Sequence, residues 1–171
     1  MKIILISDTH SNNACLAQLK QLIKLEKPDG LICCGDICQG DDLDYLEKFF
    51  SCLESVPKSF LITGNNDGAN VRRRVWDSKH SAQLVKRKIG KDYVFGISDG
   101  EILDEFDSAD IAGTILLTHR PPLKNILETP FANAPKYHLS GHLHSQYGLV
   151  KYAATTHIKI PSFQKYPDGL G

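Results

Sequence analysis

Three short apolar runs, at residues 3–6 (Ile-Ile-Leu-Ile), 31–34 (Leu-Ile-Cys-Cys) and 60–62 (Phe-Leu-Ile), recur at nearly equal intervals, and each stops abruptly on polar residues. Runs this short and this continuous suit strands buried on both faces rather than strands with one wet side. The segments between them carry apolar residues at helical spacing: Cys15, Leu16, Leu19, Leu22 and Ile23 in the first, and Leu43, Leu46, Phe50 and Leu53 in the second. Ser11, Asn12 and Asn13 offer N-caps to the first helix and Asp41 or Asp42 to the second, while Pro28 with Asp29-Gly30, and then Pro57, close them. Two successive βαβ units follow from this alternation, and such units build a parallel sheet. The loops at the carboxyl ends of parallel strands share one edge, where ligands bind. That edge receives Asp8 and His10 after the first run, Asp36 after the second and Asn65 after the third. Asp8 and His10, two apart on extended backbone, are expected to project to the same side and to grip one ion together.

The second half changes character. Residues 69–82 are expected to form a short helix, and residues 84–97 a hairpin turning at Ile89-Gly90-Lys91-Asp92. Ile102, Leu103 and Phe106 stand at helical spacing in an acidic segment, which predicts one more short helix. A buried strand at 115–117 ends on Thr118-His119-Arg120, and Tyr137-His138-Leu139-Ser140 leads into Gly141-His142-Leu143-His144. Strands near 147–153 and 156–160 precede an irregular tail. A chain of 171 residues with no repeat and no linker fits one domain, 1–171.

Composition narrows the class of protein. Hydrophobic residues at 42% and charged ones at 23% exclude disordered and collagen-like chains. No apolar run approaches the roughly 20 residues of a membrane helix, and the first is too short for a signal-peptide core, so a cytoplasmic location without a membrane partner is expected. The five cysteines (Cys15, Cys33, Cys34, Cys38, Cys52) are odd in number and sit mostly in apolar stretches, as small buried hydrophobes do in a reducing compartment. Cys34 and Cys38 lack the second pair that a structural zinc site needs. The net charge of zero conceals an asymmetry: residues 71–91 carry eight basic side chains against Asp77 alone, and residues 99–110 carry six acidic ones and no base. Such blocks form solvated or mutually complementary faces, or attract an anionic substrate.

The strand ends together supply Asp8, His10, Asp36, Asn65, His119, His142 and His144: two carboxylates, one amide and four imidazoles. Mixed nitrogen and oxygen donors suit Mn, Fe or Zn better than Mg or Ca, whose sites are dominated by oxygens. Seven donors exceed the needs of one ion, so two ions sharing a ligand are the natural solution, and such pairs lie roughly 3.5 to 4 Å apart. Residues 8 to 144 resemble the calcineurin-like metallophosphoesterases, whose ordered motifs stand here as Asp8-Thr9-His10, Gly35-Asp36, Gly64-Asn65-Asn66-Asp67, His119 and Gly141-His142-Leu143-His144. The resemblance implies a four-layer α/β/β/α sandwich rather than a simple open sheet. It also implies that Asp36 bridges two metals, with Asp8, His10 and His144 completing one site and Asn65, His119 and His142 the other.

The expected reaction is hydrolysis of a phosphoester by in-line attack of a metal-bridging hydroxide, because a divalent ion such as zinc can bring bound water from a pKa of 15.7 to about 7. Mn is the expected metal, with Fe, Zn and Ni as the others this donor set admits. Asn66 stands where the family often has a histidine, and an amide hydrogen-bonds a phosphate but is no general acid near neutral pH. Phosphodiesters, or monoesters with acidic leaving groups, are therefore the expected substrates. Asn66 and Asp36 are the catalytic candidates, Asn66 and Arg120 the substrate contacts. Asp67 either orients Asn66 or caps the next helix; Trp76 and the Arg72–Arg74 cluster either rim the substrate or pack a short helix. His80, His138 and His157 are expected to be structural. Two rival readings remain: a non-catalytic interaction scaffold on the same fold, which should have lost ligands, and a nuclease, which would need the basic stretch to hold a nucleic-acid backbone. The sequence has no identified base-reading module, and it leaves a nucleotide-like substrate and homo-oligomerisation open.

Overall fold

The computed structural model describes residues 1–99, 111–121, 133–152 and 154–164. Along the chain run β1 (Ile3–Ile6), α1 (Asn13–Glu26), β2 (Gly30–Cys34), α2 (Leu43–Leu53), β3 (Ser59–Ile62), α3 (Ala69–Trp76), β4 (Arg87–Ile89), β5 (Asp92–Ile97), β6 (Ile115–Thr118), β7 (Tyr137–Ser140), β8 (Gly148–Tyr152) and β9 (Thr155–Lys159). The helix ends follow the cap chemistry. Asn12 Oδ1 accepts from Ala14 N at 2.9 Å, and Asp42 Oδ1 accepts from Tyr45 N at 3.0 Å. The helix expected over 69–82 stops at Trp76. Asp41 serves its first turn from a distant loop, accepting from Asn70 N at 2.8 Å and Val71 N at 3.3 Å. The acidic segment expected to be helical lies, apart from Asp99, outside the described residues.

Two sheets result. β1, β2 and β3 form a parallel sheet in that order; the second sheet has the order β4-β5-β6-β7-β9-β8, parallel from β5 through β7 to β9, with β4 and β8 antiparallel at its edges. Alternation along the strands sorts their side chains. Ile4, Ile6, Leu31, Cys33 and Leu61 meet α1, α2 and α3 in one core. Ile32, Cys34, Phe60 and Ile62 face Val94, Ile115, Leu117 and Leu139 in a second core between the sheets. Phe95, Ile97, Leu116 and Ile111 form a third on the outer side of the larger sheet. Helix layer, first sheet and second sheet thus follow one another as in an α/β/β/α sandwich, and the third core lies on the side where that fold has its outer helices.

The segment after α3 explains why a helix could not continue to 82. Leu61 N donates to His80 O at 2.9 Å and Ala82 N to Leu61 O at 3.0 Å, while Gly96 N donates to Ala82 O and Leu84 N to Gly96 O, both at 2.8 Å. Residues 81–83 are thus extended between β3 and β5, with Ser81 bridging Leu61 and Gln83 bridging Gly96, and stitch the two sheets together. Backbone groups that reach two strand edges are better satisfied than they would be in an exposed helical turn.

Candidate metal centre

β1 ends at Ile6, so Asp8 and His10 do not stand on extended strand, contrary to the expectation from their spacing. Asp8, His10 and Ser11 instead have φ of 57°, 46° and 57°, and Asp36 and His142 have 51° and 65°. A left-handed backbone costs a non-glycine residue roughly 1–2 kcal/mol, and such positions cluster at functional sites. Neighbouring loops hold these residues. Asp8 N donates to Gly35 O at 3.0 Å, His10 N to Asp36 O at 3.1 Å and Ser11 N to Ile37 O at 3.1 Å. The pairing of β1 with β2 therefore continues past both strands and brings Asp36 beside Asp8 and His10.

Glycines let the remaining loops close in. A Cβ on Gly64 would lie 2.8 Å from His119 Cε1, and one on Gly141 would lie 2.8 Å from Asp8 Oδ2. Neither position accepts a side chain without displacing a proposed ligand.

The side chains so placed fall into two groups. Asp8, His10 and His144 can each offer a ligand atom within 4.8 Å of the others, and so can Asp36, His119 and His142. Asp36 Oδ2 reaches toward both, at 3.2 Å from His119 Nε2 and 3.8 Å from His10 Nε2. Asn65 Oδ1 lies 3.2 Å from His119 Nε2, which puts the amide with the second group. Asp8 Oδ1 is buried without a hydrogen-bond partner among the described residues, although His144 Nε2 is 3.2 Å away and His10 Nε2 3.6 Å. His10 Nε2 and His144 Nε2 themselves stand 3.2 Å apart. A buried anionic oxygen that makes no hydrogen bond to the two imidazole nitrogens facing it is what a cation between them would satisfy. The donor set fits divalent transition metals.

The two carboxylates are held ionised, as metal ligation requires, and their charge makes the site attractive to cations, protons included. Burial pushes Asp36 up, but the His119 imidazole and the Asn66 hydrogen bonds outweigh it and hold the carboxyl at about 2. Asp8 is likewise lowered, its burial overcome chiefly by His10 and Ser7. The Asp8 carboxylate raises His10, and Asp36 raises His119 against its burial. His142 is lowered by burial, by His119 and by Arg120.

Other residues take parts that their motifs did not indicate. Asp67 neither orients Asn66 nor caps α3: it is buried and accepts from Cys38 N at 2.7 Å and Gly64 N at 2.8 Å, tying the loops after β2 and β3 together. Burial raises its carboxyl to about 6 despite those bonds. Asn66 donates to Asp36 twice, from N at 2.7 Å and Nδ2 at 2.6 Å. Arg120 donates to Asp99 Oδ1 at 2.7 Å, and its Nη1 lies 3.1 Å from His142 Nε2, so it faces the site rather than bulk solvent alone. Arg72 donates to Gly64 O and Asp67 O, each at 2.8 Å, and to Asp99 O. The tail also closes on the site. Ser162 Oγ donates to Asp8 O at 3.0 Å and Phe163 N to Ser7 O at 2.8 Å. Nothing around Ser162 in the sequence signals this contact; for Arg72 the one hint was its place directly after the asparagine loop. His80 bonds Ser59, His138 bonds Thr118 and His157 bonds Ser140, all away from the two groups.

The chain matches the calcineurin-like phosphoesterase family over residues 1–146. A two-sheet sandwich with this cluster at its strand ends defines a metallophosphoesterase, and the chain belongs to that family. No curated protein matches it. Solved structures share the fold at low identity. TT1561 of Thermus thermophilus is 14% identical with a TM-score of 0.74, over 95% of this chain and 89% of that one. A protein described as a novel archaeal phosphodiesterase is 17% identical with a TM-score of 0.63, over 97% and 87%. Yfce, a phosphoesterase from E. coli, is 16% identical with a TM-score of 0.55, over 95% and 80%. Family membership implies a phosphoester substrate and divalent metal ions. Among the described residues, no helix is long and apolar enough to cross a membrane.

Proposed function

We propose that this chain is a phosphodiesterase that uses two divalent cations, Mn foremost and otherwise Fe, Zn or Ni. The observation that carries the reading is the shared carboxylate: Asp36 Oδ2 lies within 3.8 Å of an imidazole nitrogen from each of the two groups. Asp8, His10 and His144 would hold one cation and Asn65, His119 and His142 the other, with Asp36 between them. Cations held there supply Lewis acidity to phosphoryl oxygens and make water more acidic. Around them the chain's own residues orient the phosphate. The Arg120 guanidinium stands beside His142 with donors for an anionic oxygen, and Asn66 keeps a second amide hydrogen beyond the one given to Asp36. Asn66 cannot supply a proton, so esters whose leaving groups need none are favoured. The archaeal neighbour described as a phosphodiesterase supports the diester preference. Five free cysteines, all buried, support a reducing, cytoplasmic setting.

The test combines metal analysis with a panel of phosphodiesters and phosphomonoesters whose leaving groups span a range of pKa, assayed with added Mn. Two ions per chain and a rate that falls steeply as the leaving-group pKa rises are expected. Fewer than two ions, or inactivity across the panel, would favour the interaction scaffold. Equal chemical rates for phenolate and alkoxide leaving groups would remove the role given to Asn66.

A further inference from the structure

A cavity of about 530 Å³ opens beside the metal-ligand rim, with Thr63, Arg72, Arg73, Trp76, Ser98 and Asp99 among its lining residues. Its place follows from the strands. Thr63 and Ser98 stand just past the carboxyl ends of β3 and β5, joined by Thr63 N donating to Ser98 Oγ at 3.0 Å. The next residues after Thr63 are Gly64 and the proposed ligand Asn65. On the other side Asp99 accepts from Arg120, and Arg120 in turn reaches His142. One ion pair therefore separates the cavity from the imidazoles.

The lining has a particular chemistry. Trp76, the chain's single tryptophan, ends α3 and stays 48% exposed. Thr63 is fully buried, and its Oγ1 has no hydrogen-bond partner among the described residues. Arg72 has its guanidinium committed to the carbonyls of Gly64, Asp67 and Asp99, so it is a wall and not a free cation. Among the described residues Arg73 is bound only by a pair with Asp77 at 3.1 Å in which its own side chain is 81% exposed. Such a surface pair holds an arginine weakly, and the guanidinium is free to turn inward. A flat, half-exposed indole face and an adjustable cation together match a planar aromatic group with polar atoms at its edge, and the buried Thr63 hydroxyl lies behind that wall, out of a ligand's reach. A phosphate alone would use none of the indole.

We propose that this cavity receives the aromatic part of the phosphoester, a nucleobase or an aryl group, stacked on Trp76 while its phosphate lies at the ligand cluster. The proposal rests on the phosphodiesterase reading for the placement of the phosphate, and it gives that reading a substrate class. Arg72 acts only as a positioning residue, since it fixes both the cavity wall and the asparagine loop.

The single tryptophan is its own reporter. The Mn-loaded protein is titrated with AMP, phenyl phosphate, methyl phosphate and inorganic phosphate while Trp76 fluorescence is followed. Saturable quenching by AMP or phenyl phosphate, with none from methyl or inorganic phosphate, is expected. Quenching by AMP alone assigns a nucleobase, and quenching by both assigns any aryl group. In parallel, Trp76→Ala should raise KM for an aryl phosphodiester roughly ten-fold, the scale of one lost stacking contact. Trp76→Phe should restore most of that loss, and inhibition by inorganic phosphate should change in neither variant. Absence of quenching by both aromatic phosphates, or an aryl KM within two-fold of wild type in Trp76→Ala, overturns the proposal even if the enzyme is active. A wild-type protein that hydrolyses nothing overturns the phosphodiesterase reading instead, and the fluorescence titration still decides what the cavity binds.

Discussion

The Oδ2 atom of Asp36 lies 3.2 Å from His119 Nε2, 3.8 Å from His10 Nε2 and 2.6 Å from Asn66 Nδ2. Replacing Asp36 with asparagine keeps the shape but removes the charge that all three partners face. With Asp36 placed between two cations as proposed, both groups should weaken at once, and metal analysis should show the two ions lost together rather than one. Losing an outer-shell partner already costs a metal site about 10- to 100-fold, so activity should fall by at least about 100-fold. Retention of one tightly held ion would place the shared ligand elsewhere. Asn66→His tests the other half of the site: an imidazole there should speed alkyl esters and leave aryl esters nearly unchanged, measured as the slope of rate against leaving-group pKa. The residue types at this site were readable in sequence because each ends an apolar run. How Asp8 and His10 come together was not, since three left-handed positions within four residues, two of them these candidate ligands, are imposed by the loop after β2 and not by local propensity. Asp67 was equally opaque. Its two backbone donors, on Cys38 and Gly64, belong to different loops, and no spacing rule links them.

At the scale of elements, α1, α2 and the three strands of the first sheet follow their apolar periodicity closely, because each repeats a local pattern of caps and buried faces. α3 differs. It is only eight residues long, too short to be stable alone, and it depends on what it touches. Its basic residues are mostly committed to neighbours. Arg72 clamps loop carbonyls, Arg74 donates to Glu47 at 2.8 Å and lies over the Phe50 ring, and further on Lys79 pairs with Glu54 at 2.9 Å. The block that reads in sequence as a lure for anions is in large part glue between α2, α3 and the strand ends. Salt should therefore weaken substrate affinity only modestly, without the steep dependence of a nucleic-acid binder. Arg72→Ala leaves Gly64 O and Asp67 O without their partner and should cost roughly 1–3 kcal/mol of stability. Its metal affinity should also fall, read by calorimetric titration of Mn. Arg74→Ala breaks an exposed pair and should cost no more than about 1 kcal/mol with metal binding intact. Equal effects of the two on metal affinity would show that Arg72 does not position the asparagine loop.

The whole molecule works by bringing the carboxyl ends of the parallel sheet and of the parallel strands of the mixed sheet to one rim, so that Asp8, Asp36 and Asn65 from one sheet meet His119, His142 and His144 from the other. What supports the second set is buried polar chemistry on the outer face of the larger sheet. His138 and His157 stack with ring centroids 4.9 Å apart, His157 Nε2 is 2.9 Å from Ser140 Oγ, and neither Nδ1 has a hydrogen-bond partner among the described residues. Thr118 Oγ1 donates to Arg120 O, so it accepts from His138 Nε2–H at 2.8 Å, and the buried Nδ1 has no acceptor beside it for a second proton. Burial, and then its stacked neighbour, push His138 down to about 3; burial, and then Lys159, push His157 down to about 4. Below the ordinary histidine value of about 6.5 the unfolded chain takes up protons that the folded chain refuses. Stability is therefore full above that value and is lost as pH falls toward 4 and then 3. At pH 5 the loss amounts to roughly 2 kcal/mol for each imidazole, taking 1.36 kcal/mol per pKa unit. His10 and His119 shift the opposite way in the metal-free protein, so a single curve would blur the effect. The clean measurement compares urea unfolding of metal-free wild type and His157→Gln from pH 7.5 to 5. The glutamine variant starts less stable but should lose roughly 2 kcal/mol less over that interval, and parallel curves would mean that His157 ionises in the folded protein as freely as in the unfolded one.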